Sequence, residues 1–322
     1  MNTTQQFRET VGNTDRAGFT LTELMVVLAT IGILAAVALP ALAGTKNDSK
    51  SFQCMNNLKQ LATAWILYAD ESNDLLVNLS TYQSDMGGGS EPTTTDRQGV
   101  PWRTQINLVQ QPLPTGTAPY SITAQKYLIE MGFKQPTAEI AGPLYRFAPN
   151  ADLVHCPADR RYLLKIIFQP YGGLYSWDSY AASGYLNGEW GSSAPPPDDI
   201  LKRSGITRPA AKFVWAEGAD MRGENLGSWW MQNYGSPNDP GGPFHSAKFS
   251  DSPAAFHPGA ANYNFCDGHV ESHKWQSTAT INYANSLDPS KDDGDLLQDE
   301  ANFAGNRDTI WVGAHYAGRQ NP

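Results

Sequence analysis

The sequence predicts an α+β fold: a long N-terminal helix whose distal half packs against a β-rich globular head with large loops. Three observations carry that expectation. Leu24–Ala43 runs for twenty residues without a charge, about the length that crosses ~30 Å of hydrocarbon as a helix. Beyond it Leu58, Leu61, Ala62, Trp65 and Ala69 recur at helical spacing, one apolar stripe of an amphipathic helix. The whole chain has 29 Gly, 22 Pro and only 17% charged residues, a loop-rich composition that leans toward strands.

The N-terminal element starts at a polar leader, residues 1–18, followed by Gly18-Phe19-Thr20-Leu21-Thr22-Glu23 and the apolar run. A carboxylate at the mouth of such a run costs several kcal/mol unless it finds a partner. Two simpler readings compete. Ala41-Leu42-Ala43 would suit secretory cleavage after an apolar core, and a plain membrane anchor needs only the hydrophobicity. Neither explains a leader placed before the apolar run, or the Gly-Phe-x-x-x-Glu register.

That register resembles the N-termini of type IV pilins and type II secretion pseudopilins. The resemblance implies cleavage between Gly18 and Phe19 by a prepilin peptidase, and N-methylation of Phe19. Glu23 falls at the fifth mature position, where the family carries its acid, and Pro40 at the twenty-second. In a filament the Glu23 carboxylate would meet the amine of a neighbouring Phe19, removing an unpaired charge and setting axial register. The expected organisation is a leader at 1–18 and a helix at 19–70, transmembrane about 24–43 and an amphipathic stalk over 46–70. The head occupies 71–322. Pro40 lacks an amide hydrogen and should kink or locally melt the helix near Ala36–Pro40.

Asp70-Glu71-Ser72-Asn73-Asp74 should end the stalk. Residues 80–120 show no sustained period and read as an irregular insertion. A helix is expected around Thr123–Met131. Tyr162–Phe168 reads as a buried strand, Asp178–Asn187 as a strand and turn, and Phe213–Ala216 as a short apolar strand ended by Glu217-Gly218. The clearest local pattern is Ala261–Trp275, where Asp267-Gly268 predicts a two-residue hairpin turn. That turn would pair Phe265 with Val270 and Tyr263 with Ser272 on an apolar face. Cys266/His269, Asn264/Glu271 and Asn262/His273 would share a polar one.

His257 stands ten residues before Asp267. With Gly268 this is similar to the H-X9-DG signature of a large group of prepilin-type proteins, placing a motif hairpin at 257–275. Cys54-Met-Asn-Asn-Leu-Lys-Gln, Cys156-Pro157-Ala158-Asp159 and Val214-Trp215-Ala216-Glu217 fit the same group. His257 and Asp267 are a candidate catalytic or metal pair; the plainer reading gives Asp267 to the turn and His257 to packing. His269 and His273, with Glu271 and Cys266, are zinc-type ligands. Positions i and i+4 of a strand nevertheless stand ~13 Å apart, too far to share an ion.

The chain has three cysteines. Cys54 and Cys156 are the candidates for a disulfide clipping the head to its helix; the alternative is three small buried thiols. Cys266 reads as strand filler. In Asp288–Glu300, Asp292, Asp293 and Asp295 are candidate calcium ligands in an acidic loop, although an EF-hand frame fails there. No cofactor is otherwise implied. A net charge of −9 argues against nucleic acid as a partner.

No sequence motif argues for an enzyme. The expected function is a structural, pilin-like subunit of a type II secretion or type IV pilus-like filament. Its partners would be the prepilin peptidase, other pilin-like subunits and an inner-membrane assembly platform. It would be a single-pass inner-membrane protein with its head in the periplasm or at the cell surface. The alternative is a filament-displayed or membrane-anchored surface module, gripping a glycan or other extracellular ligand with aromatics of Ser228–Tyr234 and Gly184–Trp190.

Overall fold

Helix α1 runs over Leu21–Glu71. The computed structural model describes residues 20–81, 101–103, 113–118, 121–134, 142–163, 177–188, 199–219, 228–232, 239–286 and 298–318, with the side chains of 35–48 left aside. Two compact units divide the chain, Met1–Lys46 and Asn47–Pro322.

In the first unit the described side chains are exposed. Leu24, Met25, Val26, Val27, Leu28, Ile31, Ile33 and Leu34 are between 44% and 70% exposed. At 100° per residue these positions circle the helix, so no single face is apolar. Helical assignment continues through residues 36–40; the local melting expected at Pro40 is not present. One missing amide leaves the hydrogen bonds on either side able to carry the helix. The apolar run extends into the side chains left aside, and among the described residues no helix is long and apolar enough to cross a membrane.

The second unit begins with the distal turns of α1. Leu58, Leu61, Ala62, Trp65 and Ala69, the stripe the sequence places there, are all fully buried, and so is Cys54 one turn earlier. Beyond Glu71 the chain turns through two left-handed residues, Asn73 (φ 54°) and Asp74 (φ 71°). Asp74 N–H bonds back to Ala69 O at 2.9 Å, a reach-back that satisfies a terminal carbonyl.

The stalk packs on a four-stranded antiparallel sheet of order β1-β2-β5-β6. Its strands are β1 (Tyr180–Ala182), β2 (Phe213–Glu217), β5 (Ala260–Phe265) and β6 (Val270–Lys274). A two-stranded sheet joins β3 (Met231–Gln232) and β4 (Lys248–Phe249). The head also has helices α2 (Ile122–Lys134), α3 (Thr278–Ala284) and α4 (Arg307–His315).

Both faces of the sheet are buried along β1, β2 and β5, while the edge strand β6 is largely exposed. Tyr180, Ala182, Val214, Trp215 and Cys266 join the stalk residues in one apolar cluster. Ala181, Phe213, Ala216, Ala261, Tyr263 and Phe265 join Trp229, Phe249, Val312 and Tyr316 in the other. A strand buried on both sides reads as a continuous apolar run rather than an alternating one, which accounts for Phe213-Val214-Trp215-Ala216.

The hairpin differs from expectation by one residue. Asn264 pairs with Val270, Tyr263 with Glu271 and Asn262 with Ser272, so the loop has three residues, Cys266-Asp267-Gly268. Gly268 has φ +89°, its N–H bonds to Phe265 O at 2.8 Å, and Phe265 N–H bonds to His269 O at 2.9 Å. This is a three-residue loop closed by a left-handed glycine, a common alternative to the two-residue turn. The slip moves Val270 and Ser272 to the face of Asn264 and Asn262, and Glu271 and His273 to that of Tyr263 and Ala261. Asn262 and Asn264 are 0% exposed, because the stalk covers their face rather than solvent. Asn264 Nδ2 donates to Leu58 O and its Oδ1 accepts from Trp215 N–H, both at 2.8 Å.

Tyr162 and Leu163 lie in a 3-10 turn, Arg161–Leu163, rather than a strand, and Leu163 is exposed; the rest of that predicted strand lies outside the described residues. So do most of 80–120 and Asp292, Asp293 and Asp295.

Candidate functional site

At the start of α1, Thr20 is the N-cap and Glu23 stands three residues on. Thr20 N–H and Oγ1 both donate to Glu23 Oε2 at 2.8 Å, and Glu23 N–H returns a 3.3 Å bond to Thr20 Oγ1. This reciprocal capping box satisfies amides that the first helical turn leaves orphaned. The lone acid thus has a local partner. Thr20 was not singled out from sequence, though T-x-x-E before an apolar run was the signal for it. Gly18 and Phe19 lie outside the described residues.

The other site is buried in the second unit. Cys54 comes from α1, Cys156 from the loop after the 3-10 turn Ala151–Val154, Glu217 from the end of β2, and His257 from the turn before β5. Each is buried to within 4%, and their ligand-type atoms lie within 4.8 Å of one another. Glu217 Oε1 accepts from Cys54 Sγ at 2.7 Å and lies 3.0 Å from His257 Nε2. Its Oε2 accepts from Asn262 N–H at 2.8 Å. Cys156 Sγ lies 3.5 Å from His257 Nε2 and accepts from Ala158 N–H at 3.4 Å. Tyr180 OH donates to Cys54 Sγ at 3.2 Å.

Separate contacts hold this arrangement in place. Asn57 Nδ2, one turn along α1 from Cys54, donates to His155 O at 2.9 Å. Cys156 N–H donates to Ser179 Oγ at 2.9 Å, and Ala260 N–H to His257 O at 2.8 Å. Burial raises both thiols well above the ordinary cysteine range, with the Glu217 charge adding to it. For His257 burial acts in the opposite direction, but the hydrogen bonds and charge of Cys156 and Glu217 outweigh it and raise the imidazole pKa to about 10.

These distances bear on two pairings the sequence put forward beside plainer readings. Cys54 and Cys156, the candidates for a disulfide, come together as free, buried thiols, which is the alternative the sequence left open. The His257–Asp267 pair is not formed either. Asp267 is partly exposed, its side chain 2.6 Å from His269 Nδ1 and accepting from His269 N–H at 3.0 Å. Glu217 was not put forward as a site residue, although an acid closing an all-apolar strand was a visible signal.

The remaining histidines go elsewhere. His269 stacks on Phe265 at 4.3 Å. His273 stacks on Trp311 at 3.9 Å and lies 3.5 Å from Asp308 Oδ1. The aromatics proposed to grip a ligand are packed: Trp229 is buried, and Tyr185 meets Trp230 edge to face at 4.8 Å. Trp190 and Tyr234 lie outside the described residues.

Comparisons with known proteins concern the N-terminal segment. Residues 13–39 match the family described as the prokaryotic N-terminal methylation motif. The type IV major pilin protein PilA of Myxococcus xanthus (strain DK1622) is 50% identical over 52 residues, which is 16% of this chain and 24% of that protein. The chain thus spans about a quarter of the length of the curated relative it matches. No solved structure matches. Through that segment the chain carries a prepilin methylation motif and is type IV pilin- or pseudopilin-like.

Proposed function

We propose that this chain is a structural filament subunit, anchored by the apolar half of α1 in the inner membrane and then drawn into a type IV pilus-like or type II secretion-like assembly. The observation that carries the reading is the pairing of the methylation motif with a helix exposing apolar side chains on every side. Eight such residues in water forfeit on the order of 10 kcal/mol relative to an apolar setting, which a bilayer or a bundle of like helices would supply. A single partner surface would need only one apolar face.

A prepilin peptidase would cut between Gly18 and Phe19, and the amine of Phe19 would then meet Glu23 on an adjacent subunit. Both capping bonds from Thr20 use Oε2, so an approaching amine can take Oε1 without opening the box. The folded head would sit in the periplasm or at the surface, with an inner-membrane platform as a further partner. A non-enzymatic role is part of this reading.

Glu23→Gln separates helix capping from charge, because glutamine also serves in a capping box. The expected result is normal N-terminal processing by intact mass, with filament recovery or secretion lost. Filaments recovered at wild-type levels from Glu23→Gln would refute the charge pairing. An unprocessed wild-type chain beginning at Met1 would refute the whole reading.

A further inference from the structure

Two thiols, an imidazole and a carboxylate converge in the core from four separate elements, and no part of filament assembly requires them. We propose that Cys54, Cys156, Glu217 and His257 form a structural zinc site that fastens the stalk portion of α1 to the head.

The donor set favours zinc on chemical grounds. Two sulfurs with an imidazole nitrogen and a carboxylate oxygen is a four-coordinate set of the kinds zinc takes. Thiolates are too soft for calcium or magnesium, while the imidazole and carboxylate disfavour an iron–sulfur cluster. A tetrahedral ion with bonds of about 2.0–2.3 Å needs ligand atoms roughly 3.3–3.8 Å apart. The Cys156 Sγ–His257 Nε2 separation of 3.5 Å already lies in that range. The 2.7 and 3.0 Å contacts at Glu217 Oε1 are hydrogen bonds that would open by roughly 0.3–1 Å as the shared protons leave.

Surrounding groups are those a zinc site uses to aim its ligands. Asn262 N–H fixes the second Glu217 oxygen, Ala158 N–H and Tyr180 OH donate to the two sulfurs, and the His257 carbonyl is tied to Ala260. Binding releases the two thiol protons and the Nε2 proton to solvent, leaving two thiolates, a neutral imidazole and the carboxylate on the ion. All four positions are then filled by protein in a closed pocket. The role is therefore structural, with no open site for a reacting water.

The test uses the full-length chain extracted in detergent and held under reducing conditions. Elemental analysis should find about one zinc per chain, and all three cysteines should react with maleimide once the protein is unfolded with chelator present. Cobalt added to the metal-stripped protein should give the thiolate charge-transfer and tetrahedral visible bands. Cys54→Ser and His257→Gln should lower retained metal roughly tenfold or more, and Cys266→Ser should leave it unchanged. Three results would overturn the proposal: a Cys54–Cys156 disulfide with no metal, three free thiols that take up no cobalt, or equal metal in the ligand variants. The wild-type measurements decide the matter even where a variant fails to fold.

Discussion

Gly268→Ala should destabilise the head by about 0.5–2 kcal/mol, and the structure shows how that figure arises. Gly268 sits at φ +89°, where a Cβ costs roughly 1–2 kcal/mol. The new methyl would stand 3.1 Å from Ile66 Cδ1 on α1. Because that atom is the end of a flexible side chain, the contact adds only about 0.5 kcal/mol. Restricting the unfolded chain returns about 0.4–1 kcal/mol. Asparagine carries the same Cβ, and hence the same contact, but tolerates the left-handed region. Gly268→Asn should therefore fall between alanine and wild type. Urea unfolding of the detergent-extracted chain, followed by tryptophan fluorescence, would read the difference. At a slope of roughly 3 kcal/mol per molar, alanine should lower the midpoint by about 0.5 M. If both variants match wild type, or if asparagine is as damaging as alanine, the three-residue loop is not what fixes this glycine.

Asn264→Ala should cost about 2–3 kcal/mol in the same assay, because it strands the buried Trp215 amide and removes the tie to Leu58 O; a loss under 1 kcal/mol would contradict the inferred role. Lys212 is buried with its Nζ on Ala314 O at 3.2 Å, and desolvation, with Arg208 nearby, lowers its pKa from 10.5 to about 8. Below that value both folded and unfolded chains hold the proton. Between about 8 and 10.5 only the unfolded chain does, so this group's contribution to stability rises with pH across that window. Lys212→Met should remove the rise, and an unchanged difference between the two proteins across that range would count against it. Thr20→Val should lose about 1 kcal/mol of capping, visible as faster hydrogen exchange at the amides of residues 22–24. Replacing Gly18 with a bulky residue should leave the leader attached, as an intact mass that still includes residues 1–18.

What could be read from the sequence was what depends on neighbours along the chain. The apolar spacing of Leu58, Leu61, Ala62, Trp65 and Ala69 needs only helical geometry, and each is buried. Helix α2 and strand β2 follow for the same reason. The register of the hairpin was not legible, because Asp-Gly suits both a two-residue and a three-residue loop. The choice depends on contacts made far away, such as Asn264 reaching Leu58 across 206 positions. The buried cluster was half legible. Two cysteines on separate segments suggested proximity, but nothing local says that Glu217 and His257 arrive between them. Their meeting is set by the pairing of β2 with β5, a non-local event.

The spacing in H-X9-DG has a physical reading that neither residue provides alone. His257 lies just before β5 and Asp267 just after it, with six strand residues, Ala260–Phe265, between them. At about 3.3 Å per residue that strand is roughly 20 Å long, so the two side chains cannot share one site. Each fixes an end of the same strand. His257 holds the near end through Glu217 and Cys156, and Asp267 with Gly268 turns the far end back into β6. Inserting one residue between them would flip the faces of β5, moving Asn264 away from α1 and Tyr263 out of its aromatic cluster. An insertion after Asn262 should therefore abolish folding of the head, whereas one after Thr207, in an exposed bend, should cost far less. If the first insertion instead leaves unfolding cooperative with an unchanged midpoint, the spacing is not a strand length.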